Sequence, residues 1–247
     1  MREIVLIGIG TGNPDHVTIE AIRALNAVDL VLIPRKGPAK ADLAELRREI
    51  CGRYLEGRAR LVEFDLPVRD AEGEYRSGVA DWHRAIAATY RALIEAEAGP
   101  DAAVALLVWG DPSLYDSTLR VLDLMALGGF AFRRRVVPGI TSLQLLCARH
   151  GIALNAVGEA VEITTGRNLR LAMPAAASVA VMLDGGCAFR AVEAEGLWIY
   201  WGAYLGMPNE ILIAGPLAEV AGRIAAARAE ARAVNGWIMD IYLLRRG

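Results

Sequence analysis

The chain has 247 residues, 54% of them hydrophobic, and a formal net charge of -2. That supplies a large interior and excludes global disorder, and the near-neutral balance gives no general basic field for nucleic acid. The local basic spots, "FRRR" at 132–135 and "LLRRG" at 243–247, read as solvated faces, so no nucleic-acid partner is expected.

Cys51, Cys147 and Cys187 are odd in number and far apart, which suits reduced thiols and offers neither a disulfide frame nor a CxxC metal site. Three scattered His residues make a zinc cluster improbable, so no metal is expected. "REIVLIGIG" at 2–10 is strand-like and carries no signal pattern, and no apolar run reaches the ~18 residues a bilayer span needs. A cytoplasmic protein without membrane partners is expected.

"EIVLIGIG" (3–10) is a continuous apolar run, as in a strand covered on both faces. Residues 18–28 follow with helical spacing of Ile19, Ile22 and Leu25, and "DLVLIP" (29–34) is a second strand. Residues 41–55 form an amphipathic helix with Leu43, Leu46 and Ile50 on one stripe. A strand at 59–67, a long helix at 79–99, a strand at 102–110, a helix from about 114 to 126 and a strand at 130–139 complete an alternation. Repeated strand–helix–strand order predicts a mostly parallel sheet with helices on both faces. Beyond residue 154 the rhythm changes to several strands and one long helix, 217–233, which predicts a smaller α/β unit with a mixed sheet. The boundary is placed near residue 158, giving domains 1–158 and 159–247.

Four strand ends carry unusual residues: "GIGTGNPDHVT" (8–18), "WGDPSLYDST" (109–118), "VVPGITSLQ" (136–144), and "VMLDGG" (181–186) with "IYWGAYLG" (199–206). The first invites a dinucleotide reading, but Asn13 stands where GxGxxG needs its third Gly, and Pro34-Arg35-Lys36 follows the second strand in place of an acidic residue. Asp15 or Thr18 could cap the first helix.

Together and in this order, these segments resemble the tetrapyrrole methyltransferase family over essentially the whole chain. "GIGTGNPDHVTIEAI", "LRREIC", "DWH", "LVWGDPSLYDSTLR", "ITTGR", "YWGAYLG" and "GWIMDIYLLRR" are similar to the branch that serves aerobic cobalamin synthesis. The resemblance implies two α/β domains with the active site in the cleft between them, the first on the tetrapyrrole side and the second completing a site for S-adenosylmethionine (SAM). It implies SAM contacts at Thr11, Trp109, Gly110, Asp111, Leu114, Tyr115, Thr141, Ser142, Met182, Tyr204, Leu205, Ala214, Gly215 and Pro216. It also implies methylation of precorrin-5 at ring carbon C1, loss of the acetyl group as acetate, S-adenosylhomocysteine as the spent product, and a homodimer. The alternatives are another corrin precursor as substrate, or a SAM- or tetrapyrrole-binding module without turnover.

Many family members have Pro-Gly-Asp where this chain has Thr11-Gly12-Asn13, and an acidic residue where it has Pro34-Arg35-Lys36. A general base cannot simply be copied from them. His16, in the loop that faces the macrocycle in relatives, is the first candidate to activate water against the acetyl group. Lys36 and Tyr115 are the other catalytic candidates, while His83 and His150 read as packing or helix-end residues.

Overall fold

The structure is a computed structural model that describes residues 1–35, 41–57, 59–68 and 75–246. The expected catalytic Lys36 and the side chain of Leu43 lie outside the described residues. The chain forms two compact units, Met1–Ile140 and Thr141–Gly247.

The first unit alternates β1 (Glu3–Gly8), α1 (Ile19–Asn26), β2 (Leu30–Arg35), α2 (Ala41–Tyr54), β3 (Arg60–Asp65), α3 (Tyr75–Glu97), β4 (Ala103–Val108), α4 (Thr118–Leu127) and β5 (Arg133–Val137). Its five strands are parallel in the order β3-β2-β4-β1-β5. The pleat divides each apolar run between two cores, because successive side chains point to opposite faces. Ile4, Leu6, Leu30, Leu32, Val104 and Leu106 pack with Ile86 and Ile94 of α3 and Val121, Leu122 and Met125 of α4. Val5, Ile7, Val31, Ile33, Ala105 and Leu107 pack with Ala24 and Leu25 of α1 and Leu46 and Ile50 of α2. Burying one such large side chain contributes about 1.5–3 kcal/mol, so both faces are needed for the sheet to stand.

Two local expectations change. The buried stripe of α1 is Ala21, Ala24 and Leu25, while Ile19 is 69% exposed, because it begins the first helical turn outside the i, i+3, i+4 face. Thr18 caps α1 by accepting from the Ala21 amide. Asp15 instead pairs with Arg53, and Asn13 caps the 3-10 turn Pro14–His16.

The second unit contains α5 (Ser142–His150), β6 (Val161–Thr165), α6 (Gly166–Leu171), β7 (Ser178–Met182), β8 (Leu197–Ala203), β9 (Ile211–Pro216), α7 (Leu217–Asn235) and β10 (Asp240–Arg246). Its sheet runs β6-β7-β10-β8-β9, with β6 and β7 parallel and the other pairs antiparallel. The division at Ile140–Thr141 replaces the boundary expected near residue 158. The physical reason is α5: the strand–helix rhythm runs on through it, but Leu143, Leu145 and Leu146 share a core with Ala180, Ile241 and Leu243 of the second sheet. On that sheet's α7 side, Arg228 donates from Nε to Asp240 at 3.0 Å and from its fork to the Asp184 carbonyl at 2.8 Å. Trp201 donates to the same Asp240 oxygen at 3.0 Å, and the Tyr242 hydroxyl donates to the Asp184 carboxylate at 2.8 Å.

Candidate active site

In an open parallel sheet, a crevice forms where neighbouring strands send their connections to opposite faces. That happens between β1 and β4: β1 leads to α1 on one face, and β4 leads to α4 on the other. The loops above this point are tied to each other. Gly10 and Gly110 form an antiparallel bridge, the Gly110 amide donating to the Gly10 carbonyl at 2.8 Å. Both adopt positive φ (76° and 67°), which glycine reaches without strain. A Cβ on Gly139 would stand 2.1 Å from the Gly110 carbonyl oxygen, so the loop after β5 lies directly against the loop after β4.

Asp111 locks the same pair of loops. It accepts from the Gly139 amide at 2.9 Å and from the Ser113 amide at 2.8 Å. Burial opposes its charge, but the Ser113 hydroxyl and the Gly139 and Ser113 amides outweigh burial and hold the carboxyl below its usual range. Beside this cradle, Thr11 is 4% exposed and its hydroxyl has no hydrogen-bond partner. A buried hydroxyl without a partner costs about 1–3 kcal/mol, so its persistence points to a polar ligand. SAM fits these residues: glycine backbone allows close approach, and Thr11 offers a donor and acceptor.

The other expected residues fall as follows. His16 is half-buried, and its Cβ lies 3.1 Å from where a Cβ on Gly10 would stand, so it borders the bridge. Leu114 is half-buried, and Tyr115 is exposed with φ +50°, a conformation costing a non-glycine residue on the order of 1 kcal/mol. Trp109 is half-buried, with an indole N–H that has no partner. Arg35 is engaged by Asp65 through two hydrogen bonds of 3.0 and 2.9 Å.

In the second unit, Thr141 and Ser142 begin α5, with Thr141 in a capping box with Gln144. Met182 ends β7 and packs on the α5 core, and Leu205 belongs to that core. Ala214, Gly215 and Pro216 end β9, where Gly215 turns towards Val220 of α7. Tyr204 is buried, and its hydroxyl donates to the Trp237 carbonyl at 2.5 Å and lies 3.2 Å from the Ala231 carbonyl. It therefore holds the end of α7 in place through that hydroxyl. His150 is hydrogen-bonded to the Trp201 carbonyl at 3.1 Å, and His83 lies against Trp82.

Gly8 and Gly139 were missed as site residues, although Pro138-Gly139 after an apolar strand carried the signal. Arg47 was also missed. It occupies the i+4 place of the very stripe formed by Leu43, Leu46 and Ile50, and it is 5% exposed.

A doubly faced parallel sheet with a glycine-lined switch point, followed by a mixed-sheet unit, is an architecture of methyltransferases, and the chain belongs to the tetrapyrrole (corrin/porphyrin) methylases, whose family pattern matches residues 3–221. A precorrin-6A synthase (deacetylating) from Sinorhizobium sp is 55% identical over 251 residues, covering 100% of this chain and 96% of its own. The crystal structure of a cobalamin synthesis related protein from Corynebacterium diphtheriae superposes with a TM-score of 0.86 at 39% identity, covering 100% of this chain and 99% of that one. A uroporphyrin-III C-methyl transferase from Thermus thermophilus, solved with S-adenosylhomocysteine, shares the fold at a TM-score of 0.62 and 19% identity, covering 98% of this chain and 97% of that one. Among the described residues, no helix is long and apolar enough to cross a membrane, and no group of His, Cys, Asp and Glu could hold a metal ion.

Proposed function

We propose that this protein methylates precorrin-5 at C1, using SAM, and releases the acetyl group as acetate to give precorrin-6A. The observation that carries this reading is the 55% identity, across the full chain, to a deacetylating precorrin-6A synthase. SAM supplies a methyl group already activated on a sulfonium, so the protein's task is to position and to exclude water. The loops at Gly10, Gly110 and Gly139 are tied to one another by the glycine bridge and by close backbone packing, which suits that work. Thr11 meets the polar part of the ligand.

His16 takes the proton of the water that attacks the acetyl carbonyl. The bond from C1 to the acyl carbon then breaks, its electron pair stays with the macrocycle, and the acyl group leaves as acetate. Incubation with precorrin-5 and SAM tests the whole reading. The expected result is a product heavier by one methyl and lighter by one acetyl, with an equivalent of acetate. Methylation without acetate, or turnover of a different corrin precursor alone, would overturn it.

A further inference from the structure

The sheet of the first unit has a second opening. Strands β2 and β4 pair only from Leu30–Val104 to Leu32–Leu106 and then part, while β2 stays with β3 as far as Arg35–Asp65. Arg47 of α2 reaches into the fork, and its Nε donates to the Leu107 carbonyl at 3.1 Å. There a pocket of about 90 Å³ is lined by Arg47, Tyr90, Trp109 and Asp116 on its polar side and by Ile86 and Val121 among its apolar wall. At about 30 Å³ per water it holds roughly three waters, or one anion of four heavy atoms.

The lining chemistry selects a kind of guest. Burial pushes the Arg47 guanidinium down from its usual value, against Tyr90 and Asp116, but a guanidinium stays charged. Burial pushes the Tyr90 phenol up, so it remains a donor. The Trp109 indole N–H has no partner. Asp116 is the one carboxylate among the described lining residues, and one of its oxygens accepts from the Thr118 amide at 2.7 Å. A cation and two neutral donors beside an aliphatic wall suit a carboxylate on a short alkyl stub.

We propose that this pocket is a small-carboxylate site, and that it receives the acetate cleaved from the macrocycle. The choice of acetate rests on the reading under Proposed function, whereas the carboxylate site does not. A carboxylate arm of the intact substrate is the other source of the same chemistry.

Saturation-transfer NMR with sodium acetate on the purified full-length protein, without SAM or macrocycle, tests the site. Saturable binding in the millimolar range is expected, displaced by formate and propionate but not by hexanoate. Arg47→Lys keeps the charge and loses the planar fork, and should weaken binding about tenfold. Asp116→Asn removes a repelling charge while keeping the acceptor for Thr118, and should tighten binding several-fold even if the Arg47 variant does not fold. No saturable acetate signal in the wild type, or one indifferent to Asp116→Asn, would overturn the site.

Steady-state kinetics then separate the sources. If the pocket takes released acetate, Arg47→Lys lowers kcat with KM for the macrocycle unchanged, and added acetate inhibits non-competitively. A raised KM and competitive inhibition would assign the site to a substrate arm and overturn the acetate assignment. A protein that binds acetate but never releases it from precorrin-5 would overturn the proposed reaction and leave the site standing.

Discussion

His16 and Asp111 stand a few residues from the same glycine bridge and do different work. If His16 takes the proton from water, His16→Ala should slow product formation by ~100- to 10,000-fold, the usual loss for a missing acid–base group. SAM binding, measured by calorimetry on the same variant, should hardly change; its loss would show that the loop serves SAM instead. Asp111 is a scaffold charge. Its folded carboxyl lies below its unfolded value, so the stability it gives is present above about pH 4 and disappears as pH falls through the folded value. Asp111→Asn should therefore lose less melting temperature than the wild type on acidification, which a pH series of thermal melts will read. Cysteine chemistry is as local. Burial pushes the Cys51 thiol up to about 11, against the pull of Arg47, so alkylation of the native protein should reach half-exposed Cys187 well before buried Cys51. Peptide mass mapping after a short iodoacetamide pulse gives the order.

Among the elements, the three strand ends meeting at Gly8, Gly110 and Gly139 leave no room for a methyl group. Gly139→Ala places a carbon 2.1 Å from backbone oxygen that cannot move without breaking the Gly10–Gly110 bridge. The melting temperature should fall by several degrees, the mark of a loss near 1–3 kcal/mol, and SAM binding should weaken with it. If Gly139→Ala melts like the wild type, the loops are not packed as described. This junction also shows what the sequence could and could not tell. The apolar runs of β1, β2 and β4 were plain, because parallel strands covered on both faces need apolar side chains at every position. Which of two adjacent strands sends its helix up and which down is not written in either run, so the switch point emerged only with the fold. Arg47 was legible as a charge on an apolar stripe, but its meaning depends on where β2 and β4 separate. The start of α4 was misplaced by a few residues, since Leu114 and Tyr115 look helical until the positive φ of Tyr115 turns the chain.

At the scale of the molecule, the two units are held by different physics. The first rests on two apolar layers; the second adds a buried polar network of Arg228, Asp240, Trp201, Asp184 and Tyr242. Arg228→Met would leave Asp240 buried without its cation, and such a broken pair costs about 3–5 kcal/mol. Chemical denaturation should show that loss, and adding Asp240→Asn should recover part of it. A double variant no more stable than Arg228→Met would mean the pair is not coupled.

The place of β10 has a consequence for how the protein is made. The first sheet has all its strands once Val137 has left the ribosome, whereas β10, Asp240–Arg246, lies between β7 and β8 and is translated after both. Until it emerges, β6–β7 and β8–β9 are separate pairs with open edges, the kind that recruit other chains. At ~5–20 residues per second, the interval between β9 and β10 is on the order of seconds, long compared with hairpin formation. Vectorial synthesis thus gives the second unit a late aggregation-prone interval, of the kind the first passes through earlier while β1 and β2 wait for β4, which lies between them. Nascent chains arrested before Asp240 should resist protease up to about Ile140 and be cut freely beyond it, and trigger-type chaperones should gather on that later segment.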